Sequence, residues 1–177
     1  LRPHPDLLVI VDRLLGDLGS NGTLPYMTLH ARVEPDMMKQ RVCWASKVKN
    51  LTDIFRFLEE TFPDPPATRI FMPINRNYME YGGIINTTHP NETNWMAVHN
   101  LKELNRAVED GLWGGRAKVF EFGSNALKGT KYESRPATTG AVLNFFMAQN
   151  AIVFVGTRVS TYSMDLLHAR FYSAKIE

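Results

Sequence analysis

The spacing of apolar residues along this chain switches repeatedly between helical and strand-like. After Pro3 and Pro5, Leu7, Val11, Leu14, Leu15 and Leu18 recur at three- and four-residue steps, which predicts an amphipathic helix ended by Gly16 and Gly19. Polar "GSNGTLP" leads into "YMTLHAR", whose β-prone residues suit a strand ending near His30, followed by a loop through Pro35 to Lys49. From Asn50, the stretch "LTDIFRFLEETF" puts Leu51, Phe55, Leu58 and Phe62 on one helical face, and "PDPP" stops it. The short run "RIFMPI" is the next strand. A long polar loop with Gly82 and Gly83 then precedes Asn100 and Glu103, a capping-box-like start for the helix "LKELNRAVEDGL", which Gly111 or Gly114 ends. The remainder reads as strand "KVFEF", loop "GSNALKGTKYESRP", helix "TTGAVLNFFMAQN", continuously apolar strand "AIVFV" and a last helix beginning near Ser160.

After the first helix, strands and helices alternate strictly. Short, fully apolar strands in that order predict an α/β fold, a doubly wound parallel sheet covered by helices on both faces. No repeat or low-complexity segment interrupts the chain, so 1–177 is expected to form one domain, with 1–25 as a leading helix and connector.

Composition narrows the class. With 44% apolar residues, 177 residues can fill a proper core. Twenty basic against eighteen acidic side chains leave a net charge of +2, with no basic run and no arginine–aromatic interleaving, which argues against a nucleic-acid partner. No stretch approaches the roughly 20 apolar residues of a membrane span. The start "LRPHPDLLVIV" has no Met, charged leader or cleavage site, and is read as that of a fragment or mature portion. The lone Cys43 cannot form an internal disulfide. Glycosylation acceptor patterns at Asn21, Asn50, Asn86 and Asn91 exceed chance and point to the lumen of the secretory pathway, although Asn50 also stands where a helix cap belongs.

In an open parallel sheet, ligands gather where strand carboxyl ends lead into helix N-termini. Two polar clusters fall at such places: "HARVEPD" after the first strand and "GTRVSTYS" after the last. In the second, Gly156 lets the backbone turn and approach a ligand, and Ser160, Thr161 and Ser163 stand at a helix start whose free N–H groups and dipole attract anions. The plainer reading makes Ser160 an N-cap and the other hydroxyls local hydrogen-bonders. In the first cluster, Arg32 offers a bidentate cation to phosphate oxygens beside His30; a salt bridge to Glu34 or Asp36 is the alternative. Dinucleotide-binding, P-loop and hydrolase-elbow motifs are all missing. The histidines His4, His30, His89, His99 and His168 lack metal-ligand spacing, so no metal site is expected. His168 and Asp165 fall on the last helix, read as flank and solvated positions.

The pairing of "LHAR" and "EPDM" with a later "FVGTRVSTYS" resembles the GDP-fucose protein O-fucosyltransferase-like proteins, especially plant and algal-type members, over about residues 26–172. The resemblance implies the C-terminal, Rossmann-like donor half of a GT-B-type glycosyltransferase, working against an N-terminal domain outside this chain. It implies inverting, metal-independent transfer of fucose from GDP-fucose, as donor substrate rather than cofactor, to a protein or glycan hydroxyl in the endoplasmic reticulum or Golgi. By motif, Arg32 looks like the family's essential arginine, the catalytic residue on the diphosphate, and His30 like its neighbour at the nucleotide. Gly156, Ser160, Thr161, Tyr162 and Ser163 match the phosphate and nucleotide contacts. The family's acidic residue in the helix before the last strand is replaced here by Leu143 or Asn144, and an arginine beyond the serine–threonine motif would be Arg170. A noncatalytic GDP- or glycan-binding module keeping this fold is the alternative implied by those departures.

Overall fold

The computed structural model describes residues 4–17, 25–33, 50–74, 76, 79, 93–121, 127–157 and 160–173. Leu18, Gly19, Asn21, Glu34, Asp36, Cys43, Gly82, Gly83, Asn86, His89 and Asn91 lie outside them. The elements run α1 (Pro5–Asp17), β1 (Met27–His30), α2 (Leu51–Thr61), β2 (Arg69–Met72), α3 (Thr93–Asp110), β3 (Lys118–Glu121), α4 (Pro136–Asn150), β4 (Val153–Gly156) and α5 (Thr161–Ser173). All strand pairings are parallel and the sheet order is β3-β2-β1-β4. The alternation read from the sequence is therefore the observed one.

Period two along the strands divides the core in two. Met27, Leu29, Ile70, Met72 and Val119 face α2 and α3, where Leu51, Phe55, Leu58, Leu104 and Ala107 meet them. Phe71 faces the other way, toward Ile10 and Val11 of α1 and Leu143 and Met147 of α4. Each such fully buried side chain contributes about 1.5–3 kcal/mol relative to an exposed one. Helix α5 packs against α4.

Local chemistry sets most boundaries. Asn50 adopts extended backbone and its Oδ1 accepts the Asp53 N–H at 2.9 Å, so the helix-cap role expected at this position is filled. Gly16 lies inside α1, which continues to Asp17, rather than ending it. Gly111 ends α3 with φ 79, and a Cβ there would meet the Ala117 carbonyl oxygen at 2.6 Å, so only glycine fits.

The expected capping box at Asn100 is not formed. Helix α3 starts at Thr93, which places Asn100 in its interior, fully buried. There Oδ1 accepts the Leu51 N–H at 2.9 Å and Nδ2 donates to the Val33 carbonyl at 3.3 Å. Asn100 thus satisfies an orphan donor at the start of α2, a different helix, and ties it to the chain just past β1. Glu103, the other half of the expected box, pairs one turn on with Arg106 at 3.0 Å.

Candidate functional site at the ends of β1 and β4

The strand order decides where a site can form. From β1 the sheet grows through β2 to β3, and the chain then returns to lay β4 on the opposite side of β1. Connections diverge between β1 and β4, and in open α/β sheets that switch point opens a crevice at the strand carboxyl ends. The described residues of the two sequence clusters, 30–33 and 156–157 with 160–163, follow these two strands, with His30 and Gly156 as register partners.

Thr157 bolts the two strand ends together, a role the sequence reading did not assign. Its hydroxyl donates to the His30 carbonyl at 3.1 Å and accepts the Arg32 N–H at 3.1 Å, while its own N–H reaches the same carbonyl at 3.2 Å. A threonine one residue past a strand is not distinctive by pattern; only the pairing of β4 with β1 gives it these partners.

His30 is buried at 6% exposure, and its Nδ1 lies 2.7 Å from Ser163 Oγ. Burial, with the Arg32 charge adding to it, pushes the imidazole down to about 4 from its ordinary 6.5, so it is neutral at physiological pH. The Tyr162 ring lies against it, centroids 4.5 Å apart, and meets Phe145 edge-on at 5.9 Å. Burial raises the Tyr162 phenol, which therefore stays protonated as a donor.

Ser160 occupies the N-cap position of α5 by its backbone: its N–H donates to the Thr157 carbonyl at 3.0 Å and its carbonyl accepts the Met164 N–H at 3.1 Å. Its hydroxyl does not cap. Ser160 is 4% exposed and its Oγ finds no partner among the described residues; the same holds for the Tyr162 hydroxyl. Native proteins rarely leave such atoms unpaired, because each costs about 1–3 kcal/mol. Two more unpaired oxygens, Thr28 Oγ1 and Asn144 Oδ1, belong to β1 and to α4, which packs against it.

The remaining sequence candidates separate. Thr161, first residue of α5, is exposed, as are Asp165 and His168. Gly156 has a duty besides the expected approach to a ligand: a Cβ there would meet Ser163 Oγ and Phe154 Cζ, each at 2.7 Å. The hydrogen it carries makes room for the serine that reaches His30. Of the two candidates for the acidic position, Leu143 is fully buried core and Asn144 carries the polar atom. Arg170 closes the C-terminus of α4: its guanidinium donates to the carbonyls of Ala148 at 3.1 Å, Gln149 at 2.9 Å, Ala151 at 2.5 Å and Ile152 at 3.3 Å. That is a cap built from the next helix.

The His30 imidazole, with the Tyr162 ring and the Ser163 hydroxyl against it, therefore stands beside the first turn of α5, and the Arg32 charge acts on it from the end of β1. Among the described residues, a guanidinium, neutral donors and a helix dipole in a mostly buried setting suit an anion. Among the described residues, no group of three or more His, Cys, Asp or Glu side chains is placed to hold a metal ion, and no helix is long and apolar enough to cross a membrane. No family model, curated protein or solved structure matches the chain.

Proposed function

We propose that this chain is the donor-binding half of a GT-B-type glycosyltransferase that transfers fucose from GDP-fucose to a protein or glycan hydroxyl in the secretory pathway. The observation that carries the reading is the pair of buried hydroxyls, Ser160 Oγ and Tyr162 Oη, that no described residue partners, in the helix start next to the switch point of the sheet where neutral His30 and Arg32 also stand. Buried donors without an internal partner call for an outside acceptor, and a diphosphate presents several.

In the proposed transfer, the bond between the sugar C1 and the β-phosphate oxygen breaks and its electron pair leaves with GDP, while the acceptor oxygen forms the new bond to C1. Negative charge grows on the diphosphate as the bond lengthens. The Arg32 guanidinium and the hydroxyl and N–H donors around α5 stabilise that charge more in the transition state than in the ground state, which lowers the barrier. In this proposal the contacts to the acceptor and the base that takes its proton come from a facing domain.

Calorimetry with GDP, GDP-fucose and a UDP-sugar tests the reading. GDP is expected to bind and UDP-sugar not to compete; Arg32→Ala should weaken GDP by about 1.5–3 kcal/mol, the scale of a charge-assisted hydrogen bond. No binding of GDP by the wild-type protein would overturn the proposal. Normal GDP binding without turnover of GDP-fucose in the full-length protein would leave a binding module in place of an enzyme.

A further inference from the structure

We infer that Ser163 is a positioning residue that fixes the tautomer of His30, so that the imidazole offers an Nε2–H to the ligand. The ligand half of this inference rests on the proposed nucleotide site; the tautomer half does not.

The argument is one of proton accounting. Ser163 is 1% exposed, and its hydroxyl lies 2.7 Å from His30 Nδ1. A serine hydroxyl has one proton to donate, and a neutral imidazole has one N–H and one bare nitrogen. If Nδ1 carried the ring proton, it would donate to Ser163 Oγ, and the serine's own proton would need another acceptor. Among the described residues Nδ1 of His30 is the acceptor Ser163 has, and at this burial water does not substitute. A buried hydroxyl proton left unpaired is costly. The arrangement without that cost has Ser163 donating to a bare Nδ1, which puts the ring proton on Nε2, an atom that is not among the buried polar atoms left without a partner.

Two neighbours hold the geometry. Gly156 is the residue beside His30 in the sheet, and a Cβ on it would overlap Ser163 Oγ at 2.7 Å, so the glycine is what allows the serine to reach the ring. The Tyr162 ring, 4.5 Å from the imidazole centroid, limits its rotation. Among the described residues, the charged group acting on the ring is the Arg32 guanidinium from its own strand end; α5 contributes the protonated Tyr162 and β4's end the neutral Thr157. All of these favour the neutral ring. A neutral imidazole with Nε2–H is a donor whose strength does not change through the physiological pH range, and beside Ser160 and Tyr162 it adds a third uncharged donor for a phosphate oxygen. Arg32 then carries the site's fixed positive charge without competition from an imidazolium.

Long-range proton–nitrogen correlation spectra of the free wild-type protein read the tautomer directly, with His30 assigned by loss of its signals in His30→Gln. A protonated Nε2 and bare Nδ1 are expected. A protonated Nδ1, or an even mixture, would overturn the inference. In Ser163→Ala and in Gly156→Ala the two nitrogens should shift toward a mixture, and Ser163→Thr should restore the wild-type pattern; an unchanged pattern in Ser163→Ala shows that the serine does not set it. GDP affinity in Ser163→Ala should fall roughly 3- to 10-fold, the scale of one neutral hydrogen bond, and an unchanged affinity overturns the ligand half. If wild-type protein binds no GDP, the nucleotide reading and the ligand half fall together, while the spectra of the free protein still decide the tautomer.

Discussion

At the carboxyl ends of β2 and β3, the Arg76 guanidinium is used up by its neighbours: Nε donates to Glu121 at 2.9 and 3.2 Å, one terminal nitrogen to Glu121 at 2.5 Å and the other to Asn105 at 2.6 Å. At the ends of β1 and β4, the adjoining pair of strands in the same sheet, Ser160 and Tyr162 bury hydroxyls that no described residue answers. Both places are strand ends with polar side chains. They differ because β2 and β3 are sheet neighbours in simple succession, whereas β1 and β4 flank the switch point. Polar groups that pair with each other hold a fold together; polar groups left over at a switch point are there for something that arrives.

Acid should expose the contrast most strongly. His30 titrates near 4 in the folded chain against 6.5 in an unfolded one, so the unfolded state binds the extra proton between those values. Its contribution is fully present above 6.5 and is lost as pH falls through 4, at about 1.4 kcal/mol per pH unit, about 3 kcal/mol in all. Denaturant unfolding at pH 7, 6, 5 and 4 should show this slope in the wild type and lose that component in His30→Gln.

A second effect tests whether internal pairing marks structural groups. Asn100→Ala strands the buried Leu51 N–H and Val33 carbonyl and should lower stability by about 2–3 kcal/mol in urea titrations. A loss under 0.5 kcal/mol would place Asn100 outside the structural class. Arg76→Ala follows, discounted because Arg76 and Glu121 keep 31% and 21% side-chain exposure; about 1 kcal/mol is expected, with GDP affinity unchanged. Ser160→Ala runs the other way and should raise stability, by about 1 kcal/mol, since it removes a buried hydroxyl that no described residue answers. The same variant should bind GDP roughly 3- to 10-fold more weakly. A large stability loss without a change in GDP affinity would turn the comparison around.

Much of the fold was legible because its signals are local. Asn50 has a cap's side chain in a cap's place, Leu51, Phe55 and Leu58 repeat at helical spacing, and "AIVFV" has the length and apolar character of a parallel strand, although as an edge strand it is only partly buried. Asn100 misled for the opposite reason. Asparagine before an acidic residue three positions on is a genuine cap pattern, but the helix had already begun at Thr93, and the amide found its partners 49 residues away in α2 and 67 away past β1. Arg170 likewise carries no local mark of its duty, because the carbonyls it caps belong to α4.

By itself the sequence determined the alternation of strands and helices, the apolar faces that drive them together, and two polar clusters at strand carboxyl ends; these follow from side-chain chemistry and spacing over a few residues. Tertiary structure alone decided that β4 lies beside β1. That single placement brings Ser163 to His30 across 133 residues, lets Thr157 join the two strand ends, turns Gly156 into clearance for a neighbour's hydroxyl, and stands next to a buried Ser160 hydroxyl that no described residue answers. Strand order is set by how the crossovers and both core layers close at once, a sum over contacts distant along the chain.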